Sequence, residues 1–257
     1  MKVAVLSDVH GVLPALEAVL AEPDVAAADL IALTGDLAAG PMPVETLDAL
    51  TALGDRALWV RGNADREMVE TAAGRPPRIA VSGWAARELR PDQLDLLAAL
   101  PTRQVLDLGR LGVTAFVHGT PRSDEEVVLV DSSLERWSEV LAGLGADTMV
   151  MGNTHMPFAR LADRVLLVNP GSVGMPYGTT GAHWALLDGD TGAVTLRRTP
   201  LDAAEVGARL VAASGFPEIE EWVAEYVTAT YSDAQALRVF AKLEGRPPRT
   251  DVDPTPG

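Results

Sequence analysis

The chain has 257 residues, 47% of them hydrophobic and 22% charged, ordinary proportions for a globular protein of one large domain or two small ones. Its formal net charge of -15 excludes binding through an extended basic nucleic-acid groove and adhesion to an anionic membrane, but not a small phosphorylated substrate, since bound cations reverse a local field. Cysteine is absent, which removes disulfides, thiolate metal sites and cysteine nucleophiles.

In chain order, short and uniformly apolar runs recur at Val3 to Leu6, Leu30 to Leu33, Ala57 to Val60, Val113 to Val117, Thr148 to Met151 and Val165 to Val168. Each is too brief for a helix and suits a strand buried on both faces. Between them, Leu13, Leu16, Val19 and Leu20 share one helical face, and a second helix is predicted from about Pro43 to Leu53. Two short helices separated by Pro91 are expected over 82–100, and Ser132 with Glu135 has capping-box spacing ahead of a helix that Gly143 stops. Val105 to Leu108 with Val113 to Val117, and Ala182 to Leu187 with Ala193 to Arg197, read as antiparallel hairpins. Helices are predicted near 202–213, 218–229 and 233–243, with Asp202 and Ser232 as their start signals. The organisation expected is a catalytic domain over 1–200, a helical extension packed on it over 201–244, and a disordered tail over 245–257. Val3 to Leu6 is far too short for a signal-peptide core and no apolar stretch has membrane-spanning length, so the expected location is cytoplasmic.

The chemistry sits where the apolar runs end. They finish in Asp8-Val9-His10, Gly35-Asp36, Gly62-Asn63-Ala64-Asp65, His118-Gly119 and Gly152-Asn153-Thr154-His155. Ligand sites of open α/β sheets form beyond the carboxyl ends of strands, so five such ends can meet in one cleft. Glycine beside each polar residue lets the backbone turn and approach closely, and the spacing of Asp8 and His10 on an extended backbone sends both side chains to one side. Three of the four histidines lie at these ends. Oxygen and imidazole donors without sulfur suit Mn²⁺, Fe, Co²⁺ or Zn²⁺. An isolated Asp, Asn or His at a strand end is more often a turn residue than a ligand; the whole set together favours a metal site.

The series Asp-x-His, Gly-Asp, Gly-Asn-x-Asp, His-Gly and Gly-x-Thr-His resembles the signature of calcineurin-like metallophosphoesterases, closest to their compact bacterial and archaeal phosphodiesterase branch. Ser7 to Gly11, His118-Gly119-Thr120-Pro121-Arg122 and Asn169 to Gly174 strengthen the resemblance, which spans roughly residues 1 to 200. It implies a four-layer αββα sandwich of two mixed β-sheets flanked by helices. It also implies two divalent metals, with Mn²⁺ first and Fe, Co²⁺, Ni²⁺ or Zn²⁺ as alternatives. Asp8, His10, Asp36 and His155 would hold the first, Asp36 bridging, and Asn63 and His118 the second. The metals would activate a water or hydroxide for in-line attack on phosphorus. Asp36, Asn63, His118 and Arg122 are the residues it places closest to catalysis, Arg122 as a phosphate clamp or, equally, a surface salt bridge.

Two departures stand out. Ala64 occupies the place where many members have a histidine that protonates the leaving group, which points to substrates with good leaving groups. Asn153 replaces a histidine ligand of the second metal, so that site is expected to be the weaker one; asparagine also suits a left-handed turn. Asp65 reads as a residue supporting the ligands or capping a helix. His183 reads as a packing residue. Trp222, Tyr226 and Tyr231 read first as helix-packing residues and next as a lid or a surface for homo-oligomers through the C-terminal helices. The function expected is hydrolysis of a phosphodiester, or phosphomonoester, in a small nucleotide-like molecule. The rivals are a dinucleoside polyphosphate hydrolase and a non-catalytic scaffold resembling the retromer subunit of the superfamily.

Overall fold

The structure is a computed structural model that describes residues 1–246. The expected tail lies outside the described residues from position 247 onward. Two five-stranded mixed sheets form the centre. In the first, β1 (Lys2–Leu6) pairs in parallel with β2 (Leu30–Leu33), and β2 with β3 (Ala57–Trp59). The other edge of β1 takes the antiparallel hairpin of β9 (Ala182–Asp188) and β10 (Ala193–Thr199). The second sheet begins with the hairpin of β4 (Arg103–Asp107) and β5 (Val113–Val117). It continues through β6 (Thr148–Val150) and β8 (Val165–Asn169), both parallel to β5, and ends at β7 (Phe158–Ala162).

The sheets face each other because successive strand residues point to opposite sides. Val3 and Val5 of β1, Ala32 of β2, Phe116 of β5, Val150 of β6 and Val168 of β8 share the core between the sheets. The alternate residues Ala4 and Leu6 face an outer helical layer, and Ala115 and Val117 face the opposite one. That gives the expected αββα sandwich.

The outer layer on the first sheet begins with α1 (Leu13–Leu20), α2 (Pro23–Ala26) and α3 (Pro43–Thr51). It continues with α4 (Asn63–Ala72), α5 (Ala80–Glu88) and α6 (Pro91–Ala99). A proline begins α2, α3 and α6, where its missing N–H costs nothing. The outer layer on the second sheet is α7 (Leu134–Leu141), whose Trp137, Val140 and Leu141 pack with Phe158. Its N-cap is Ser133, accepting from the Arg136 N–H, and not Ser132 as the spacing predicts; the Ser132 hydroxyl instead accepts from Leu129 N–H at 2.7 Å and donates to Glu244.

The C-terminal helices bridge both layers. α8 (Ala203–Ala213) starts at Asp202, whose carboxylate accepts from the Ala204 and Glu205 N–H groups. Val206 and Leu210 of α8, with Trp222 and Val223 of α9 (Ile219–Val223), belong to the core that contains Ala4 and Leu6. The predicted helix over 218–229 is not uniform, because Ala224–Thr228 widens into a π turn with an Ala229 N–H to Ala224 carbonyl bond. Finally α10 (Asp233–Leu243), capped by Ser232, packs Ala236 and Ala241 on Val127, Leu129 and Met156.

Two elements escape the sequence reading. β7 lies at a sheet edge with Arg160 half-buried and Leu161 exposed, so it has no continuous apolar run. α2 has only four residues, below the length at which a helical period is visible. Among the described residues no helix is long and apolar enough to cross a membrane.

Candidate metal centre

Parallel strands bring their carboxyl ends to one edge, and both sheets place that edge on the same side of the sandwich. The segments following β1, β2 and β3 meet those following β5 and β6. Asp8 and Asp36 are buried after β1 and β2, Asn63 opens α4 after β3, and His118 and His155 are buried after β5 and β6. Two sets of side chains are close enough for each to hold one ion: Asp8, His10 and His155, and Asp8, Asp36 and His118.

The backbone at these positions is unusual. Asp8, His10, Asp36, Asn153 and His155 all have positive φ, between 49° and 67°, where side chains other than glycine are seldom found. Asp8 and His10 therefore converge through a left-handed turn and not, as their spacing suggests, along an extended strand. Such conformations persist only where the surroundings enforce them, and here hydrogen bonds do so. The His10 N–H donates to the Asp36 carbonyl at 2.9 Å, and the Asp8 N–H to the Gly35 carbonyl at 3.0 Å. The Ser172 hydroxyl donates to the Asp8 carbonyl at 2.7 Å, so the loop Asn169 to Gly174 braces the end of β1. Gly62 and Gly152 make room for carboxylates: a Cβ on Gly62 would lie 2.2 Å from Asp36 Oδ1, and one on Gly152 2.7 Å from Asp8 Oδ2.

Each carboxylate is oriented by main-chain donors. Ala64 N–H donates to Asp36 Oδ1 at 2.8 Å, and Asn153 N–H reaches both oxygens of Asp8 at 3.2 Å. Behind them, Asp65 is fully buried and accepts from the Asp36, Leu37 and Gly62 N–H groups at 2.9, 2.9 and 2.8 Å. This single carboxylate ties the loop after β2 to the start of α4.

The imidazoles are fixed at one nitrogen and free at the other. His118 Nδ1 donates to the Thr34 carbonyl at 2.7 Å, His155 Nδ1 to the Met175 carbonyl at 2.8 Å, and His10 is held by the Ala39 backbone. Since a carbonyl only accepts, Nδ1 carries the hydrogen in His118 and His155, and the neutral ring presents a bare lone pair at Nε2. Those lone pairs face other acceptors. His118 Nε2 lies 3.1 Å from Asn63 Oδ1 and 3.4 Å from Asp36 Oδ2. His155 Nε2 lies 3.2 Å from Asp8 Oδ1 and 3.2 Å from His10 Nε2. Opposed acceptors are satisfied only by a proton or a cation between them, so this nitrogen-and-oxygen donor set fits divalent metals.

Without a cation, protons take that place. Burial opposes charge on His118 and His155, but the Asp36 and Asp8 carboxylates outweigh it, raising His118 to about 10 and His155 above its ordinary value. Burial likewise disfavours ionised Asp36 and Asp8, yet the neighbouring His118 and His155 hold both below the usual carboxylate range. Burial lowers His10. Asp65, desolvated and next to the Asp36 charge, is pushed up to about 6.

The remaining expected residues are placed as follows. Asn153 has the left-handed backbone suited to asparagine (φ 67°), and its side-chain amide donates to the Glu126 carbonyl at 3.4 Å. Arg122 engages Glu126 through two bonds of 2.8 and 2.6 Å, the salt-bridge alternative. His183 sits apart within β9, its Nε2 3.0 Å from the Thr179 hydroxyl. The centre opens into a cavity of about 730 Å³ reached by His10, Asp36, Asn63, Asn153 and His155. Sequence reasoning missed the far walls of that cavity, Phe216, Phe240 and Leu243 among them. No motif marks them, because they lie in the C-terminal extension, more than 60 residues beyond the last site motif at His155, and only folding brings them over the site.

A fold of two facing mixed sheets with this centre at their shared edge defines a metallophosphoesterase. Residues 1–192 match the family model of the calcineurin-like phosphoesterase superfamily domain, and the chain belongs to that superfamily. It is a phosphoric ester hydrolase by family, and divalent metal ions are the cofactors the family implies. It is 27% identical over 200 residues to the phosphodiesterase YfcE of Escherichia coli strain K12, covering 74% of this chain and 89% of that protein. A solved metallophosphoesterase from Sphaerobacter thermophilus is 26% identical, with a TM-score of 0.71 over 88% of this chain and 99% of its own. The structure of PH1004 from Pyrococcus horikoshii OT3 has the same fold, with 20% identity and a TM-score of 0.75 over 89% of this chain and 99% of its own.

Proposed function

We propose that the chain hydrolyses a phosphodiester of a small molecule at a two-metal centre held by Asp8, His10, Asp36, His155, Asn63 and His118. The observation that carries this reading is the convergence of Nε2 lone pairs and carboxylate oxygens, each aimed by a backbone hydrogen bond at a neighbouring acceptor. Bound divalent cations supply the Lewis acidity and the activated water for attack on phosphorus. Asp36 Oδ2 lies 3.7 Å from His10 Nε2 and 3.4 Å from His118 Nε2, a position from which one carboxylate serves both halves. Asp8 and Asp36 offset the cationic charge, and Asn63 and His118 complete the second half. Asn153 contributes its backbone N–H to Asp8 and, as a side chain, a weaker donor than imidazole. Mn²⁺ suits that mixed oxygen and nitrogen set.

At Ala64 the chain offers a methyl group where an imidazole would protonate the departing oxygen, so the reaction favours leaving groups that depart as stable anions. This supports aryl or otherwise activated esters over alkyl ones; support for a diester comes from the likeness to a phosphodiesterase. Arg122 is committed to Glu126, and we assign it no substrate contact. The first-metal set of Asp8, His10, Asp36 and His155 is retained, which speaks against a scaffold role. We read residues 201–244 as part of the catalytic unit, since they wall its cavity.

The test is an activity matrix of Mn²⁺, Co²⁺, Ni²⁺, Zn²⁺ and Fe²⁺ against bis(p-nitrophenyl) phosphate, p-nitrophenyl phosphate and diadenosine tetraphosphate, with Asp36→Ala as control. Diester hydrolysis that Asp36→Ala lowers at least about a thousandfold is expected. Equal activity in Asp36→Ala would sink the mechanism.

A further inference from the structure

The cavity over the centre is far larger than a phosphate group needs, and much of its outer wall comes from beyond the matched family region of residues 1–192. The C-terminal extension supplies Phe216, Trp222, Tyr226, Phe240 and Leu243, and the loop ahead of α5 supplies Ile79. Two of these apolar side chains face open space, Leu243 at 67% exposed and Ile79 at 56%, Tyr226 and Phe240 are half-buried, and Phe216 and Trp222 are buried behind them. Exposed apolar groups lining a concave surface beside a catalytic centre are the usual wall for the organic part of a ligand. The π turn over Ala224–Thr228 places Glu225 and Tyr226 in this wall.

The charge of the wall is one-sided. Glu67, Glu218, Glu221 and Glu225 line it, and Arg78 is the one arginine or lysine among the described lining residues. Arg78 is already shared between Glu67 at 3.2 Å and Glu125 at 3.1 Å. Among the described residues, Glu218, Glu221 and Glu225 have no salt-bridge partner within 4.0 Å, although the Tyr226 hydroxyl donates to Glu225. A polyphosphate chain would find no free cation here and four carboxylates to repel it. An aromatic face beside an unpaired carboxylate is instead the surface that attracts an organic ammonium.

We propose that this wall is the specificity element of the enzyme, and that the esterified group it selects is an apolar one bearing a cationic amine and no further phosphate. The inference rests on the phosphodiesterase reading for its chemistry, but the binding preference is measurable without it. Full-length protein, metal-free and Mn²⁺-loaded, is titrated calorimetrically with benzyltrimethylammonium and with benzyl alcohol. The ammonium binds at least about threefold more tightly than the alcohol at low salt, and the ratio falls by about threefold or more in Glu218→Gln/Glu221→Gln/Glu225→Gln, whose changes are all on exposed side chains. Phe240→Leu weakens both probes together. In kinetics, kcat/KM for p-nitrophenyl phosphorylcholine exceeds that for the p-nitrophenyl ester of thymidine 5′-monophosphate, and the triple variant narrows the gap. An ammonium-to-alcohol ratio near one, or a ratio untouched by the triple variant, overturns the inference even if diesters are hydrolysed. A preserved ammonium preference with no hydrolysis of any diester keeps the wall assignment and refutes the phosphodiesterase reading.

Discussion

Replacing Asp65 by alanine tests whether the centre is built from its buried support. The carboxylate is wholly inaccessible and satisfies three main-chain donors, Asp36, Leu37 and Gly62, at 2.8–2.9 Å. A buried donor left without a partner costs about 1–3 kcal/mol. Three of them, eased by water entering the space, give roughly 3–5 kcal/mol, a large part of the ~5–15 kcal/mol that stabilises a folded domain. For a chain of this size each kcal/mol moves the melting temperature by about 2–4 °C, so Asp65→Ala melts roughly 6–20 °C lower. Asp65→Asn separates bonding from shape. Its single oxygen, placed at the Oδ2 position, keeps the Asp36 and Gly62 bonds, while its amide confronts the Leu37 N–H. About half the loss of the alanine variant follows. Calorimetric melting of the three proteins, with metal content by mass spectrometry, is the measurement. Because the same bonds fix Asp36, metal affinity falls about 10- to 100-fold in parallel. An alanine variant melting within about 3 °C of the parent would refute the bracing role.

Four further outcomes follow from the structure. Titration with Mn²⁺ followed by native mass spectrometry shows one tightly held ion and one weaker, because the second set relies on amide oxygens beside His118; two ions of equal affinity would contradict it. Metal uptake also expels the protons that the carboxylates hold on His118 and His155, so apparent affinity rises with pH, by about tenfold per unit for each proton released, and calorimetry in buffers of different ionisation enthalpy counts them. Rates across a series of aryl diesters fall steeply as the leaving-group pKa rises, given the methyl group of Ala64; a flat series would reveal a proton donor elsewhere. Finally, hydrogen bonding from Arg122 lowers Glu126 to about 2. A depressed carboxylate stabilises the fold above its unfolded pKa of about 4.3, and that contribution is lost as pH falls through about 2. Arg122→Gln therefore differs most from the parent above about pH 5 and converges with it toward pH 2, with Arg136, also on Glu126 at 2.6 Å, keeping part of the effect.

The parts of this molecule legible in the sequence are those where a local pattern carries the whole physical cause. Leu30 to Leu33 announces a buried strand because both its faces are covered, one by the other sheet and one by helices. Gly35-Asp36 announces a site only together with Asp8-Val9-His10, His118 and His155, since a lone carboxylate after a strand is more often a turn residue. β7 was illegible since an edge strand needs only one apolar face, and Arg160 and Leu161 break even that. The step from Ser132 to Ser133 as the cap of α7 was illegible because Ser132 is bound by Glu244, more than a hundred residues away. The geometry of Asp8-Val9-His10 was misread for a related reason. Its spacing suits a strand, and only the bonds to Gly35 and Asp36 impose the left-handed turn that joins the two side chains.

The same distinction separates the two halves of the active cavity. The metal-facing half comes from short motifs whose order carries the likeness to the superfamily, since a two-metal route to a phosphate ester needs a fixed set of donors whatever group is esterified. The outer half comes from α9, α10 and the turn between α4 and α5, where no residue type is demanded by the chemistry. On the proposed reading, residues such as Glu221, Tyr226 and Leu243 would face whatever group is attached to the phosphorus. Selection on that group can therefore alter the wall without disturbing Asp8, Asp36 or His155. The strain at five left-handed positions ties the inner half to one arrangement, while the exposed part of the outer half, Ile79, Glu218, Glu221, Glu225 and Leu243, carries no such constraint. A substrate is accordingly more legible in the carboxylates and aromatic faces of the C-terminal helices than in any motif that identifies the family.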